Sequence, residues 1–596
     1  MHPALERLIQ EEQARADAKV DRALIELGLF EERKVYPTGA LSPDEAAALG
    51  MAPGHRDWFG LHLADGFRHA QGDSAWGGPA SGYVAASVED MARTLHREDV
   101  DGDLALCEAA GSAQGFFKLV QLGVPFPCNE MGEFVGYQTD HDQRRRASSA
   151  GPLTSRYMTQ ALEKSVLARG VRVRENLLAY RVLTDEKGVC GLECLDLGDN
   201  TVLRIRCAQV ILATGGPAGI YFNRVYPESQ FGMSGMAFEA GAAGANLDCW
   251  QYGLASVGFR WNVSGSYQQA IPRYVSVDAQ GVEREFLAQA MGEREALQNT
   301  FLKGYQWPFD PRKAEGSSRV DILVKAEEDA GRRVYMDYTR NPAGFAPENL
   351  STEAREYLEN CGALRATPLE RLRAINAPAI ALYRDHGIDL ATEYLEISVC
   401  AQHHNGGVQV DCHWQTCVPG LYACGEVAGT FGHYRPGGTA LNSTQVGSLR
   451  AARHIRYHGR PLPEALPPYV PVEVPAGDAD TDMVELQRAM TRCAAFQRDA
   501  GAMRALAERD AAVLSHARPL AEGDPDAAAR LRLRDMALTQ REVLGAMVYD
   551  MEHPGAGVLE TRGGVSLRRP ARPIPQRELW FERAWRADRE ERKDQP

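Results

Sequence analysis

The 596-residue sequence has no apolar run near the roughly 18 residues needed to span a membrane. Its opening stretch, Met1-His2-Pro3-Ala4-Leu5-Glu6-Arg7, is charged and lacks the apolar centre of a secretory signal, so the expected compartment is the cytoplasm. Positive charge is also short. A net charge of -14 argues against a nucleic-acid partner, whose binding depends on neutralising phosphates, and Arg144-Arg145-Arg146 is too brief a run to reverse that. The twelve cysteines include no C-x2-C pair of the zinc-ribbon or iron–sulfur kind. Cys412-His413 with Cys417 and Cys424 has metal-ligand residue types, but it falls in a segment that reads as strand–turn–strand. Reduced core cysteines are the expectation, and no metal is assigned. Internal repeats, nicotinamide motifs and haem or cluster ligands are missing too.

What is present suits two to four globular domains. Apolar and charged fractions of 44% and 24% are ordinary. Helical periodicity occupies residues 1–35, 88–122 and 155–169. Alternating or buried strands follow at Val171-Arg172-Val173-Arg174, 179–183, 191–194, 202–205 and 209–213, the last stopped by Thr214-Gly215-Gly216. Residues 217–390 mix helix and strand. Short strands return at 407–410 and 421–424, and a helix runs from about 439 to 457. The prolines between 461 and 475 read as a linker, residues 482–551 as helical, and the end as a charged tail.

The segment richest in chemical implication is 421–450. An apolar strand, Leu421-Tyr422-Ala423-Cys424, delivers the turn Gly425-Glu426-Val427-Ala428-Gly429. Glycines there let backbone approach a flat ring closely. After Tyr434-Arg435-Pro436-Gly437-Gly438 a helix begins near Thr439, and its free N–H groups favour an anionic oxygen. A reduced flavin carries negative charge at such an edge. The alternative is a glycine-rich strand–helix connection with no ligand.

This run resembles the C-terminal flavin motif of the succinate dehydrogenase/fumarate reductase flavoproteins, G-L-Y-A-x-G-E-x-x-G followed by N-R-L-G-G/A-N-S-L. Ala213-Thr214-Gly215-Gly216 resembles the strand-end A-T-G-G that lies against FAD. Gly72-Asp73-Ser74-Ala75-Trp76-Gly77-Gly78 looks like the A-x-G-G segment over the isoalloxazine. Gly123-Val124-Pro125-Phe126 and Gly151-Pro152-Leu153-Thr154 are similar to further family turns. The resemblance, over roughly residues 65–550, implies an α/β fold: a glutathione-reductase-like FAD-binding domain of the Rossmann type, with an inserted α+β capping domain and a C-terminal helical domain. The implied division is a divergent segment 1–60, an FAD-binding domain of 61–225 and 386–460, a capping domain 226–385, a helical domain 476–560 and a tail 561–596. The FAD-binding residues it implies are Ser74, Gly77, Gly78, Thr154, Ala213, Thr214, Gly215, Gly425, Glu426, Gly438, Ala440 and Leu441. Noncovalent FAD is expected, because Arg68-His69-Ala70-Gln71 does not match the flavin-linked histidine segment.

The departures are equally informative. The G-x-G-x-x-G turn that cradles the FAD pyrophosphate is missing from the N-terminal part. The family stretch Q-F-H-P-T-G reads Trp250-Gln251-Tyr252-Gly253, without its histidine. H-Y-x-M-G-G becomes Gln402-His403-His404-Asn405-Gly406-Gly407, and the R-G-E-G arginine is replaced by an out-of-register Arg273. Arg435 matches a family substrate-binding arginine. Plain fumarate or succinate chemistry is therefore not expected.

The catalytic candidates are His403 and His404 for proton transfer, Arg435 to hold a carboxylate, Arg273 as a relocated donor or anchor, and Tyr434 in the same loop as Arg435. The implied activity is hydride transfer between flavin N5 and an organic substrate bearing a carboxylate or a C=C bond. The expected partners are that small molecule and a second subunit or electron-transfer protein, in an oligomer. A flavin-deficient or partner-completed structural subunit is the competing reading.

Overall fold

The computed structural model describes residues 80–575, apart from residues 98, 135, 140–141 and 151–153. The two apolar runs Val210–Leu212 and Leu421–Ala423 pair in parallel, Leu421 opposite Val210 and Ala423 opposite Leu212. Parallel neighbours need a crossover between them. Here about two hundred residues intervene, so one short pair ties two distant parts of the chain together. The carboxyl ends of both strands release Thr214-Gly215-Gly216 and Gly425-Glu426 on one edge. That edge is where open α/β sheets take their ligands.

The helix Thr439–His458 follows and packs against Gly102–Gln121. A Cβ on Gly111 would lie 2.8 Å from Val446, and one on Gly115 would lie 3.0 Å from Gln445. Glycine at both places lets the two helix backbones close on each other. The strands Leu177–Asp185, Gly188–Asp196 and Val202–Arg206 form an antiparallel meander. Its buried Glu193 binds Arg181 and Arg204. Those arginines, with Arg206, also donate to the carbonyls of Val470, Pro467 and Pro463, so the proline-rich stretch is fastened across the meander. The strand expected at Val171-Arg172-Val173-Arg174 does not form. Both valines are exposed, and nothing pairs with that backbone among the described strands.

The inserted region builds a six-stranded antiparallel sheet in the order Glu283–Arg284, Arg273–Val277, Arg333–Asp337, Leu395–His404, Trp250–Ser256, Trp261–Asn262. Leu395–His404 is an inner strand of this sheet. It ends in a bulge: Ala401 faces Tyr252 and His403 faces Gln251, leaving Gln402 as the extra residue.

Three helices, Ala479–Cys493, Ala500–Ser515 and Ala527–Glu552, pack beneath that sheet. Asp478 and Asp499 cap the first two by accepting from the backbone N–H of Thr481 and Ala502. The helices share one apolar core with Tyr221, Trp250 and Tyr252, while a second core surrounds the parallel pair. The tail expected from residue 561 starts instead as a hairpin, Val558–Arg562 with Val565–Arg569, which pairs with Gly244–Ala245. Arg569 and Arg572 then close on buried Asp101. No described helix is long and apolar enough to cross a membrane.

Candidate active site

The edge formed by the two parallel strands carries several features of a ligand cradle. Thr214 Oγ1 is buried and has no hydrogen-bond partner among the described residues. Gly425 takes φ +79°, and the nearest atom to a Cβ there is Thr444 Oγ1 at 3.4 Å, so the turn bends without a side chain in the way. Gly438, φ +83°, starts the helix Thr439–His458 with no side-chain cap. The first-turn N–H groups, which include those of Ala440 and Leu441, therefore face outward from the helix end. Ala213 is exposed and Gly215 half-buried beside them. Thr154 opens the helix Thr154–Ala168, and its hydroxyl accepts from Ala150 N–H at 2.9 Å.

The Glu426 carboxylate is held within this edge. It is bound by the Tyr226 hydroxyl and by His404 N–H at 2.9 Å. Burial raises its pKa to about 7 against those hydrogen bonds. Gly215 and Gly216 are small because Gln230 and Glu426 lie where their Cβ atoms would be. Ser74, Gly77, Gly78, His69, Asp140, His141 and Gly151-Pro152-Leu153 lie outside the described residues, as does the segment 1–60.

Beside Glu426, the bulged strand end brings a polar group together. Asn405 Nδ2 donates to the Gly432 carbonyl at 2.7 Å, which makes Oδ1 the acceptor face of that amide. Oδ1 lies 3.0 Å from His403 Nδ1 and 3.3 Å from Arg435 Nε. The proton of a neutral His403 is therefore assigned to Nδ1. Its Nε2 has no hydrogen-bond partner among the described residues and lies 4.0 Å from Glu426 Oε2. Burial, reinforced by the Arg435 charge, holds the His403 imidazole well below its usual pKa, so it is neutral near pH 7. Arg435 is 6% exposed. Its Nη2 donates to Gln251 Oε1 at 2.6 Å and its Nη1 to the Pro436 carbonyl at 3.2 Å. The edge thus presents a neutral base and a buried guanidinium braced by amides.

The remaining catalytic candidates stand elsewhere. His404, on the opposite face of the strand, stacks on Trp250 with ring centres 4.1 Å apart, and its Nε2 lies 3.2 Å from the Leu247 carbonyl. Burial drives its pKa down to about 3. It is a packing residue, and its backbone N–H serves Glu426. Arg273 is spent on Glu283, Glu285 and the fully buried Asp337, so it is not a relocated proton donor. Tyr434 stacks under the Arg312 guanidinium, 3.8 Å from ring centre to Cζ. Gln251, Asn405 and Tyr226 were not singled out by sequence reasoning. The signal for Asn405 was available: a polar residue filling the family's methionine position.

A family profile described as FAD binding domain matches residues 46–441. The chain belongs to this FAD-binding family. Curated relatives include L-aspartate oxidases: that of Mesorhizobium japonicum is 30% identical over 366 residues, covering 59% of this chain and 62% of the relative. That of Streptomyces coelicolor is 28% identical over 397 residues, covering 64% and 61%. The chain thus spans about three fifths of the length of these relatives. Among solved structures, the Mycobacterium smegmatis Sdh1 complex with UQ1 aligns with TM-score 0.61 at 17% identity, over 83% of this chain and 85% of that one. A quinol-fumarate reductase with menaquinol molecules aligns with TM-score 0.60 at 14% identity, over 82% and 89%. At these identities the likeness establishes the fold of the succinate dehydrogenase/fumarate reductase flavoproteins.

The residues present fit the cofactor of the FAD-binding family. Thr214 Oγ1 is a buried polar atom awaiting a partner, Gly425 leaves an open turn, and the uncapped helix at Gly438 offers N–H groups to an anionic oxygen.

Proposed function

We propose that this chain binds FAD noncovalently and oxidises a small carboxylate-bearing substrate, with the two electrons and one proton leaving the substrate by separate routes. The observation that carries the reading is the sharing of Asn405 Oδ1 by His403 and Arg435. FAD, when bound, supplies a two-electron acceptor that takes hydride at N5.

The chain's own groups supply the rest. Arg435, its guanidinium held by Gln251, Asn405 and the Pro436 carbonyl, supplies a fixed positive charge to pair with a substrate carboxylate. His403 Nε2 carries a lone pair at pH 7 and takes the proton that the substrate loses. Glu426, 4.0 Å away, sits where it can stabilise the imidazolium that results. Its own pKa near 7 makes it a second holder of that proton. Burial of His403 and Arg435 strengthens each interaction by excluding water.

A neutral imidazole with an open Nε2 favours proton removal over proton donation, and so favours oxidation over reduction of a C=C bond. The L-aspartate oxidase relatives make L-aspartate the first substrate to try. The experiment is anaerobic mixing of the FAD-loaded full chain with L-aspartate, succinate and related short dicarboxylates, following the oxidised flavin band. Bleaching by at least one of them, slowed in His403→Gln, supports the proposal. An unchanged flavin band throughout counts against it.

A further inference from the structure

Two residues upstream of Arg435, four chain segments meet at an imidazole that the proposed reaction does not use. Asp99 comes from the turn between the helices Ala80–His96 and Gly102–Gln121. Asp248 and Cys249 precede the strand Trp250–Ser256, Asp550 lies near the end of the helix Ala527–Glu552, and His433 stands at the centre. His433 Nδ1 lies 3.1 Å from Asp99 Oδ2 and 3.4 Å from Cys249 Sγ, and these three atoms are all within 4.8 Å of one another.

Hydrogen bonds partly satisfy this group: His433 Nδ1 can donate to Asp99 Oδ2, and the Cys249 thiol lies 3.6 Å from Asp248 Oδ2. One nitrogen, one sulfur and one carboxylate oxygen nevertheless converge as a donor set that a single cation could bind through three lone pairs. For tetrahedral zinc with ordinary bond lengths the N···O and N···S edges are about 3.4 and 3.6 Å, a few tenths of an ångström from the 3.1 and 3.4 Å found, while the oxygen and sulfur lie within 4.8 Å of each other. Gly432 makes room for the carboxylate, since a Cβ there would collide with Asp99.

The other side of the ring supplies a second, independent observation. Asp248 is 1% exposed, and its Oδ1 is buried with no hydrogen-bond partner among the described residues. Its Oδ2 lies 3.5 Å from His433 Nε2. A carboxylate on the far nitrogen is the usual outer-shell partner of a metal-bound histidine, fixing the tautomer and raising ligand basicity. Asp550, also grouped with Asp248 and His433, adds negative charge on that side while binding Arg568.

We propose that His433 Nδ1, Cys249 Sγ and the Asp99 carboxylate bind one zinc-class divalent cation, with Asp248 orienting the histidine from behind. Three protein ligands leave a fourth position, which opens to solvent because the His433 side chain is 44% exposed. The cation pins the Gly432–Arg435 loop to the strand entrance at Cys249, and the thiol proton leaves when it binds. The ligand atoms of this site are distinct from the groups on Asn405 Oδ1, and the nearest link between the two is the Cys249 carbonyl, which accepts from Asn405 N–H at 2.9 Å.

The test uses the full chain, stripped by a chelator and reloaded with Zn2+ or Co2+ alone. One ion per chain is expected, with an intense near-ultraviolet thiolate-to-cobalt band in the Co2+ form. Cys249→Ser should abolish the band. His433→Gln and Asp248→Asn should weaken binding by about ten- to a hundredfold. Circular dichroism on each variant separates loss of ligand from loss of fold, and if Cys249→Ser does not fold, the wild-type cobalt spectrum decides. No stoichiometric uptake by the wild type, no thiolate band, or equal binding by Cys249→Ser and His433→Gln would overturn the assignment.

Discussion

His403 and Arg435 meet on a single oxygen, Oδ1 of Asn405, at 3.0 and 3.3 Å. A cation and a base held on one acceptor are electrostatically coupled. Burial, reinforced by the arginine's charge, keeps the histidine neutral, and the amide fixes which nitrogen carries the proton.

His403→Gln removes the base while keeping a polar side chain. Turnover should fall by about 10²- to 10⁴-fold, with flavin content unchanged. His404→Gln should behave differently, losing the Trp250 stack and the Leu247 contact at a cost of about 1–3 kcal/mol in stability. Steady-state kinetics and denaturant unfolding of the two variants separate the roles. Equal loss of turnover in both would contradict the assignment.

Arg435→Lys keeps the charge and loses the fork. KM for a carboxylate substrate should rise about ten- to a hundredfold, following the roughly 1.5–3 kcal/mol of a charge-assisted hydrogen bond. Arg435→Met also removes the charge that helps to hold His403 below its usual range. The acid limb of its kcat/KM profile should therefore move to higher pH.

Glu108 is 1% exposed at the contact of the helices Gly102–Gln121 and Thr439–His458, facing the hydroxyls of Ser443 and Thr430. Burial raises its pKa from 4.5 to about 8. Between those values the folded state holds a proton that the unfolded state has lost, so stability is greatest below 4.5 and falls as pH rises to about 8. Glu108→Gln cannot ionise. It should flatten this part of the stability–pH curve and be the more stable protein at pH 9, by roughly 1–3 kcal/mol. Denaturant midpoints at several pH values check it. An unchanged slope would place the carboxyl in water.

Arg273→Ala leaves Asp337 buried without one of its cations. Stability should drop by about 3 kcal/mol or more, as for other broken buried pairs. The folded fraction should keep its flavin and its turnover. A selective loss of turnover would restore Arg273 to the catalytic set.

The sequence was most readable where a local pattern decides the outcome. The apolar run at 209–213 became the strand Val210–Leu212, and the glycine-rich turn before Thr439 became a helix start, because both depend on neighbours in the chain. Arg435 and the histidine pair were visible as residue types in a motif. Which histidine faces the site was not, since that is settled by one bulged residue, Gln402, in pairing with a strand some 150 positions earlier. Glu426 illustrates the same limit: its turn is local, but its hydrogen bonds come from Tyr226 and His404. Arg273 carried the right charge, and only the fold reveals that three carboxylates already claim it.

FAD is expected on the edge formed by Thr214, Gly425 and the helix at Thr439. The most direct test is the flavin content of the purified full chain after incubation with FAD and gel filtration, read from the visible spectrum and from the flavin released on denaturation. About one FAD per chain, fully released by denaturation, is the predicted result. A colourless protein that retains none would rule this edge out as a flavin site.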